Sequence, residues 1–239
     1  VTRAAAFVPV FVLGFAPAAL YAYLVFVSFH AVFIHANLRW RFPRLRWLIA
    51  LRRTGIYFEN NGRVHRNVVY SNGDHGIQFE GFEGDYREIM NNLCYLNGNA
   101  AGEYNIIGGA NYWQAKRGLV ENNTCYGGGG IYIGNPIAIT NRYNIIWAAG
   151  SNSIALVRYT DMGRYPNGLL ISDYNCIYAT DGASVGHWLG NQTELADWQY
   201  ATKQAFHSFV ADPQFVNSPG ADGILGGANG WDDNFHLAS

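Results

Sequence analysis

Acidic side chains gather in one short segment of the chain, where Glu80, Glu83 and Asp85 lie within six residues of one another. Glycoside hydrolysis needs two carboxylates about 5 to 10 Å apart, and Glu80 with either Glu83 or Asp85 fits that requirement. Carboxylates at this density can also hold a cation, and calcium suits them because it prefers oxygen ligands. The segment therefore predicts a catalytic site. Calcium is the one cofactor that it suggests, and the metal ligands stay undefined.

Basic and aromatic side chains occupy other variable segments further along the chain. A polysaccharide lyase needs a base, together with a cation that acidifies the α-proton of the sugar. Aromatic rings stack on pyranose faces, and guanidinium groups bind hydroxyls or uronates. The predicted catalytic residues are Glu80, Glu83, Asp85, Lys116 and Arg158. The predicted substrate-binding residues are Tyr112, Trp113, Arg117, Tyr132 and Tyr159. The alternative is that these side chains are ordinary solvated surface groups.

These variable segments interrupt a phrase that begins with Asn and ends with Tyr or Trp. Its five copies are Asn67–Tyr70, Asn92–Tyr95, Asn123–Tyr126, Asn144–Trp147 and Asn175–Tyr178. Each copy is accompanied by two further short apolar runs, with Gly and Asn between the runs. Three short strands per repeat of about 20 to 30 residues are typical of a solenoid, in which each strand stacks parallel to its counterpart in the next repeat.

Stacking of the repeats predicts which side chains meet. The first residues of the five copies should form a ladder of amides at a corner of the solenoid, where Asn tolerates a left-handed backbone. The aromatic residues Tyr95, Tyr126 and Trp147 should lie above one another along a common axis. The outward column predicted for the second strands is Gln78, Asn105, Tyr132 and Ala155. The three cysteines, predicted to be small buried side chains of the repeat, are Cys94, Cys125 and Cys176.

Residues 55–239 resemble the right-handed parallel β-helix superfamily, the pectate-lyase-like fold, through this recurring phrase. The tail from Ser208 to Val216, and then Asp233 to Leu237, is similar to the closing segment of many secreted bacterial β-helix proteins. The resemblance implies an all-β fold: a right-handed single-stranded parallel β-helix of about five rungs. A short amphipathic helix between Thr193 and Phe206, with Thr193 as its N-cap, is predicted to cover the last rung.

Two histidine-containing phrases stand apart from the variable segments. Asp74-His75-Gly76 is similar to the catalytic-loop wording of polygalacturonase-like β-helices, although the paired aspartates of that family are missing. The same phrase also fits an ordinary glycine turn between strands. His187-Trp188 lies close to the C-terminal cap, where it is predicted to serve packing.

Residues 1–54 form a different segment, predicted to be hydrophobic and helical. No residue from 4 to 38 carries a formal charge, and that length exceeds the about 20 apolar residues that cross a bilayer as a helix. The arginines between positions 39 and 53 follow it, mixed with aromatic residues as at a membrane interface. The segment is predicted either to span or contact a membrane through residues 4–38, or to cap the N-terminal end of the solenoid.

The phrase from Phe29 to Phe42 resembles the sterol desaturase and fatty acid hydroxylase family, whose members hold a di-iron centre with clustered histidines. The resemblance implies metal-binding roles for His35 and His30. The family's second box, of the His-His-x-x-His-His type, is missing, because no histidine follows until His65. Two histidines cannot complete a di-iron site, so the segment is interpreted as a remnant without hydroxylase activity.

Charge and composition narrow the function further. Residues 1–53 contain seven arginines and no acid, whereas the rest of the chain holds all seventeen acids against nine basic residues. An acidic solenoid disfavours nucleic acid as a partner. The sequence thus predicts a carbohydrate-active lyase or hydrolase that acts on an extended polysaccharide, with a non-catalytic glycan-binding or structural solenoid as the alternative. An extracytoplasmic or membrane-associated location is expected, although the arginines at 39–53 conflict with it under the positive-inside tendency.

Overall fold

The computed structural model describes residues 55–59, 61–81, 86–98, 102–109, 117–159, 169–226, 230 and 232–238. The chain divides into two units, residues 1–52 and 53–239, and every described residue belongs to the second. The predicted hydrophobic segment, with its membrane contact at 4–38 and with His30 and His35, lies outside the described residues. No helix within the described part of the chain has both the length and the apolar character to span a membrane.

Three sheets run along this unit, and the chain visits them in a fixed order. The first sheet contains β1 (Ile56–Phe58), β4 (Ile77–Phe79), β7 (Tyr104–Gly108), β10 (Gly129–Gly134), β13 (Ile154–Tyr159), β16 (Ser184–His187) and β17 (Asn191–Gln192). The second contains β2 (Gly62–His65), β5 (Tyr86–Met90), β8 (Arg117–Glu121), β11 (Ala138–Arg142) and β14 (Leu169–Asp173). The third contains β3 (Val68–Tyr70), β6 (Leu93–Tyr95), β9 (Thr124–Tyr126), β12 (Ile145–Ala149), β15 (Cys176–Thr180) and β18 (Phe209–Val210).

Every strand pair within these sheets is parallel, except the antiparallel pair of β16 and β17. The helix α1 (Leu195–Thr202) lies between β17 and β18 in the chain, and β19 (Phe215–Asn217) pairs antiparallel with β20 (Asn234–Leu237). The predicted all-β parallel β-helix is therefore confirmed, as a solenoid of about four turns in the part of the chain that the structure describes, rather than the five rungs that were predicted.

Apolar side chains that align from rung to rung fill the interior. In the first sheet Ile106 pairs with Ile77 on one side and Ile131 on the other, and all three are fully buried. Branched side chains suit these positions because they pack well on a pleated surface. The core thus lies along the axis of the solenoid, between its three sheets.

The predicted asparagine ladder is confirmed at the corner between the second and third sheets. The Nδ2 group of each ladder residue donates to Oδ1 of the next one along the axis, from Asn67 through Asn92, Asn123 and Asn144 to Asn175, at 2.9 to 3.1 Å. The same oxygens also accept the backbone N–H of the preceding ladder residue. Each buried amide is therefore satisfied by its neighbours, as a solenoid interior requires.

The left-handed backbone lies one residue earlier than predicted. It belongs to the residue before each ladder asparagine, at φ between 54° and 58°: Arg66, Asn91, Asn122, Tyr143 and Tyr174. A left-handed conformation costs about 1 kcal/mol for an ordinary side chain. The hydrogen bonds of the ladder offset this cost, because the left-handed residue orients each asparagine amide towards the next rung.

A second, shorter set of asparagines at the corner between the third and first sheets was not predicted. The side chain of Asn72 donates to Oδ1 of Asn97 at 2.7 Å, and Asn97 donates in turn to Oδ1 of Asn105 at 2.9 Å. Asn97 and Asn105 are fully buried. Left-handed Ser71 and Leu96 precede Asn72 and Asn97, so both corners use the same device.

The aromatic residues of the third sheet stack along a common axis, as predicted. Tyr126 pairs in register with Tyr95 and with Trp147. The β19–β20 hairpin covers this column, with the Phe235 ring 4.8 Å from Tyr95 and 5.3 Å from Tyr126 between centroids. The Tyr95 hydroxyl donates to the carbonyl of Gly230 at 2.8 Å. The tail of the chain therefore folds back over the outer face of the third sheet.

The cysteines follow the prediction only in part. Cys94 and Cys125 are register partners and fully buried, and burial raises the pKa of both thiols. Cys176 is only partly buried and pairs with Ile145. The reason is that it directly follows its ladder asparagine, whereas one residue intervenes in the other two copies, so Ile177 takes the buried position.

The C-terminal end of the solenoid is capped as predicted, with different details. The helix starts at Leu195 after the N-cap Glu194, so the prediction that Thr193 is the N-cap was wrong. Trp198 is 1 % exposed, and a side chain at Gly186 would collide with its ring. Gln204 then bonds the backbone of β14, accepting from Ser172 N at 2.6 Å. These contacts protect the last rung from pairing with other chains.

Candidate functional site

The outer face of the first sheet carries a column of side chains that runs the length of the solenoid. In register order the column is Tyr57, Gln78, Ile107, Tyr132, Val157 and His187. The prediction that Asn105 and Ala155 belong beside Tyr132 was wrong, since Ile107 and Val157 hold those places. The short apolar runs of the repeats begin at different distances from their corners, and the alignment by sequence slipped by two residues there.

Three tyrosines lie together at the centre and one end of this face. The Tyr132 ring lies 5.1 Å from Tyr104 and 6.3 Å from Tyr159 between centroids. Burial raises the pKa of Tyr104 and of Tyr132, so both are neutral hydrogen-bonding phenols near neutral pH. Tyr159 is 43 % exposed and Tyr132 is partly exposed, whereas Ile107 and Val157 beside them are buried. The tyrosines thus present hydroxyl groups and ring edges over an apolar base.

A cluster of polar side chains occupies the other end of the same face. The Tyr57 hydroxyl lies 2.5 Å from Oε1 of Glu59 and 3.3 Å from Oε2 of Glu80. Gln78 donates to the other oxygen of Glu80 at 3.0 Å. Burial and the two carboxylates raise the pKa of Tyr57 above its ordinary range, so its hydroxyl remains a donor. Two carboxylates therefore share one hydroxyl group, with Glu80 only 5 % exposed and Glu59 exposed.

Glu59 was not among the predicted site residues, although the sequence contains a signal for it. The phrases Ile56-Tyr57-Phe58-Glu59 and Ile77-Gln78-Phe79-Glu80 are alike at three of four positions. Phe58 pairs in register with Phe79, so the two glutamates follow equivalent residues of neighbouring strands. An alignment of β1 with β4 would have found the pair.

The structure does not bring Arg158 to Glu80. Their strands β13 and β4 are three strand spacings apart, which is about 14 Å. Arg158 continues the inner column through its pairing with Ile133, and its guanidinium lies 4.4 Å from the centroid of Trp188. Burial lowers the pKa of Arg158. Its position closes the core near the C-terminal cap, away from the carboxylate pair.

The other predicted site residues divide between a different sheet and the undescribed segments. Arg117 begins β8 of the second sheet, where it pairs with Tyr86 and Ala138. The predicted site residues that lie outside the described residues are Glu83, Asp85, Lys116, Tyr112 and Trp113. Among the described residues, no group of three or more His, Cys, Asp or Glu side chains could hold a metal ion.

His75 has a structural setting near the tyrosines. The backbone N–H of Tyr104 donates to Nδ1 of His75 at 3.0 Å, which leaves the proton of the neutral ring on Nε2, 3.2 Å from Asp74 Oδ1. Burial lowers the pKa of His75, and this outweighs the opposing effect of Asp74. The neutral ring thus links two neighbouring rungs at a corner. Trp188 packs on Arg158, consistent with the packing predicted for His187-Trp188.

Comparison of the chain with protein-family profiles, with curated proteins and with solved structures gives no match.

Proposed function

We propose that this solenoid binds an extended polysaccharide along the outer face of its first sheet and hydrolyses it at Glu59 and Glu80. The observation that carries the proposal is the shared Tyr57 hydroxyl, which lies 2.5 Å from an oxygen of Glu59 and 3.3 Å from an oxygen of Glu80. These two contacts set an upper limit on the distance between the two carboxylate oxygens. Retaining glycosidases hold their two carboxyl groups about 5 to 5.5 Å apart. The tyrosines further along the same face supply a surface on which a long sugar chain can continue.

The surroundings of the two carboxylates suggest their roles. Glu80 accepts hydrogen bonds from Gln78 and Tyr57, which favour its charged form and suit it to attack the anomeric carbon. Glu59 is exposed, so the leaving-group oxygen and the attacking water can both reach it from solvent, which suits it to the acid–base role. A polymeric substrate of this kind implies that the domain acts outside the cytoplasm.

The test is a screen of the purified full chain against soluble β-glucan, xylan, polygalacturonate and alginate, with and without calcium. We expect new reducing ends without an unsaturated product that absorbs in the ultraviolet, and retained anomeric configuration. Glu80→Gln and Glu59→Gln should each lower kcat by about 100-fold or more. Glu88→Gln is the matched control, because Glu88 lies on the second sheet and binds Arg63 at 2.9 Å.

An unsaturated product, or equal activity in all three variants, would overturn the assignment of hydrolysis to this pair. A second candidate function is glycan binding without cleavage. It is favoured by the position of Tyr132 and Tyr159, because a sugar can stack there without contacting the carboxylates at the other end of the face. Binding of one polysaccharide by the wild type, without turnover and without loss in Glu80→Gln, would select it.

A further inference from the structure

Arg87 is an unusual residue for the inside of a solenoid. It lies in β5 with 0 % exposure, in an inward column that continues through Gly118, Ile139 and Leu170. A guanidinium group excluded from water costs several kcal/mol of desolvation, which its contacts must offset. An aliphatic residue, as at Ile139, would fill this column without that cost. A buried charge at such a position therefore indicates a role other than stabilising the fold.

The guanidinium of Arg87 contacts both segments that carry the carboxylate pair. Its Nη2 donates to the backbone carbonyl of Glu59 at 2.5 Å. It also lies directly against Gly81, the residue after Glu80, where an added Cβ would collide with Nη2. One rigid, planar group thus occupies the corner at which the backbones of the two glutamates leave the first sheet. A glycine at position 81 is required for this approach.

We propose that Arg87 is a positioning residue, which fixes the separation of the Glu59 and Glu80 carboxylates from inside the solenoid. This proposal rests on the proposed function. Arg87 acts through the backbone, because its bond is to the carbonyl of Glu59 and its packing is against Gly81. The flat guanidinium spans the two segments, whereas an ammonium group is a point charge with no plane to lie against a glycine.

The kinetic experiment compares Arg87→Lys and Arg87→Met with Ile139→Val, in the full chain and on the polysaccharide that the wild type cleaves. Displacement of a catalytic group by about 1 Å can cost about 100-fold in rate. We expect kcat to fall at least tenfold in Arg87→Met with KM changed by less than about twofold, and Arg87→Lys to recover part of the loss. Ile139→Val occupies the same inward column and should lose stability without losing kcat.

A structural readout separates this proposal from the proposed function. Crystal structures of the wild type and Arg87→Lys should show the Tyr57 hydroxyl within hydrogen-bond distance of both carboxylates only in the wild type. If the wild type cleaves no polysaccharide and the pair still separates in the variant, hydrolysis is wrong and the positioning role stands. Unchanged carboxylate geometry in Arg87→Lys, or a kcat loss no larger than in Ile139→Val, overturns the positioning role. If Arg87→Met fails to fold, Arg87→Lys alone decides both comparisons.

Discussion

The outer faces of the first and third sheets both carry stacked aromatic side chains, yet they differ in what surrounds them. On the third sheet Trp147 packs against Tyr126 on one side and Tyr178 on the other, and the β19–β20 hairpin covers the column. On the first sheet Tyr132 and Tyr159 keep partial exposure, and the same face ends in the carboxylates of Glu59 and Glu80. One pattern of stacked rings thus serves packing on one face and is available for binding on the other.

An aromatic column in a solenoid is therefore not by itself a binding site. Its role depends on whether the rings and hydroxyl groups stay exposed or are covered by another part of the chain. The Tyr95 hydroxyl donates to the Gly230 carbonyl, so it is not available to hydrogen-bond a sugar. Substitutions on the two sides of the molecule should therefore separate stability from binding.

The largest effect is expected on the third-sheet side, in the ladder. Asn123→Ala should lower the free energy of unfolding by about 3 kcal/mol, because the buried amide of Asn92 keeps only its bond to the Val64 carbonyl, and the Ile89 carbonyl loses the amide that it accepts from. Urea denaturation measures this loss. Asn67→Ala, at the first rung of the ladder, is the control and should cost about 1 kcal/mol. Equal losses in the two variants would show that the ladder is not cooperative.

The hairpin that covers the third sheet gives the next effect. Phe235→Ala should cost about 2 kcal/mol of unfolding free energy, because the ring contacts Tyr95, Tyr126 and Phe215. Thermal denaturation checks the loss, and Leu237→Ala in the same strand, at 54 % exposure, should change little. Polysaccharide binding should be the same in both variants. A fall in binding in Phe235→Ala would mean that the covered column takes part in recognition.

On the first-sheet side the expected loss is in binding. Tyr132→Ala should weaken polysaccharide affinity about tenfold, or roughly 1.4 kcal/mol, because the ring lies between Tyr104 and Tyr159. Isothermal titration calorimetry measures it. Tyr178→Ala on the third sheet is the matched control and should leave affinity unchanged. The comparison of the two faces fails if the two variants lose affinity equally.

The smallest effect concerns the contact between Asp173 and His207 near the last rung, which we call the clasp. Burial raises the pKa of Asp173, but hydrogen bonds from His207 and Tyr174 outweigh it, so the net pKa is below the ordinary value. The stability that this contributes is present above the unfolded-state pKa and is lost as pH falls through the folded-state pKa. Because His207 is largely exposed, we expect less than about 1 kcal/mol.

Urea denaturation between pH 2 and pH 6 tests this clasp by comparison with Asp173→Asn. The wild type should lose its small advantage over the variant as the pH falls below about 4. An advantage that persists at pH 2 would contradict the ionic origin of the contact.

The sequence could predict the parts of this molecule that repeat. The asparagine ladder and the Tyr95–Trp147 column follow from a phrase whose members have a constant spacing within each copy, so their register was readable. Outside that phrase the spacing varies, and the outward column of the first sheet was misaligned at Asn105 and Ala155 for that reason. Similarity of phrases predicts register only where the number of residues between corner and strand is constant.

The candidate site was harder to predict, because its contacts are not periodic. Glu80 was named, but its partner Glu59 follows β1, a strand that the alignment of the repeats did not include. Arg87 was not considered, since an arginine in a short strand is normally expected to face solvent. Only the fold shows that it faces inward, against Gly81.

Hydrogen–deuterium exchange with and without a bound oligosaccharide, taken from the polysaccharide that the chain binds, tests the use of the first-sheet face most directly. We expect slower exchange in β4, β10 and β13, around Gln78, Tyr132 and Tyr159, with no change in β9, β12 or the β19–β20 hairpin. Protection confined to the third sheet or its hairpin would mean that the first-sheet face does not bind the sugar.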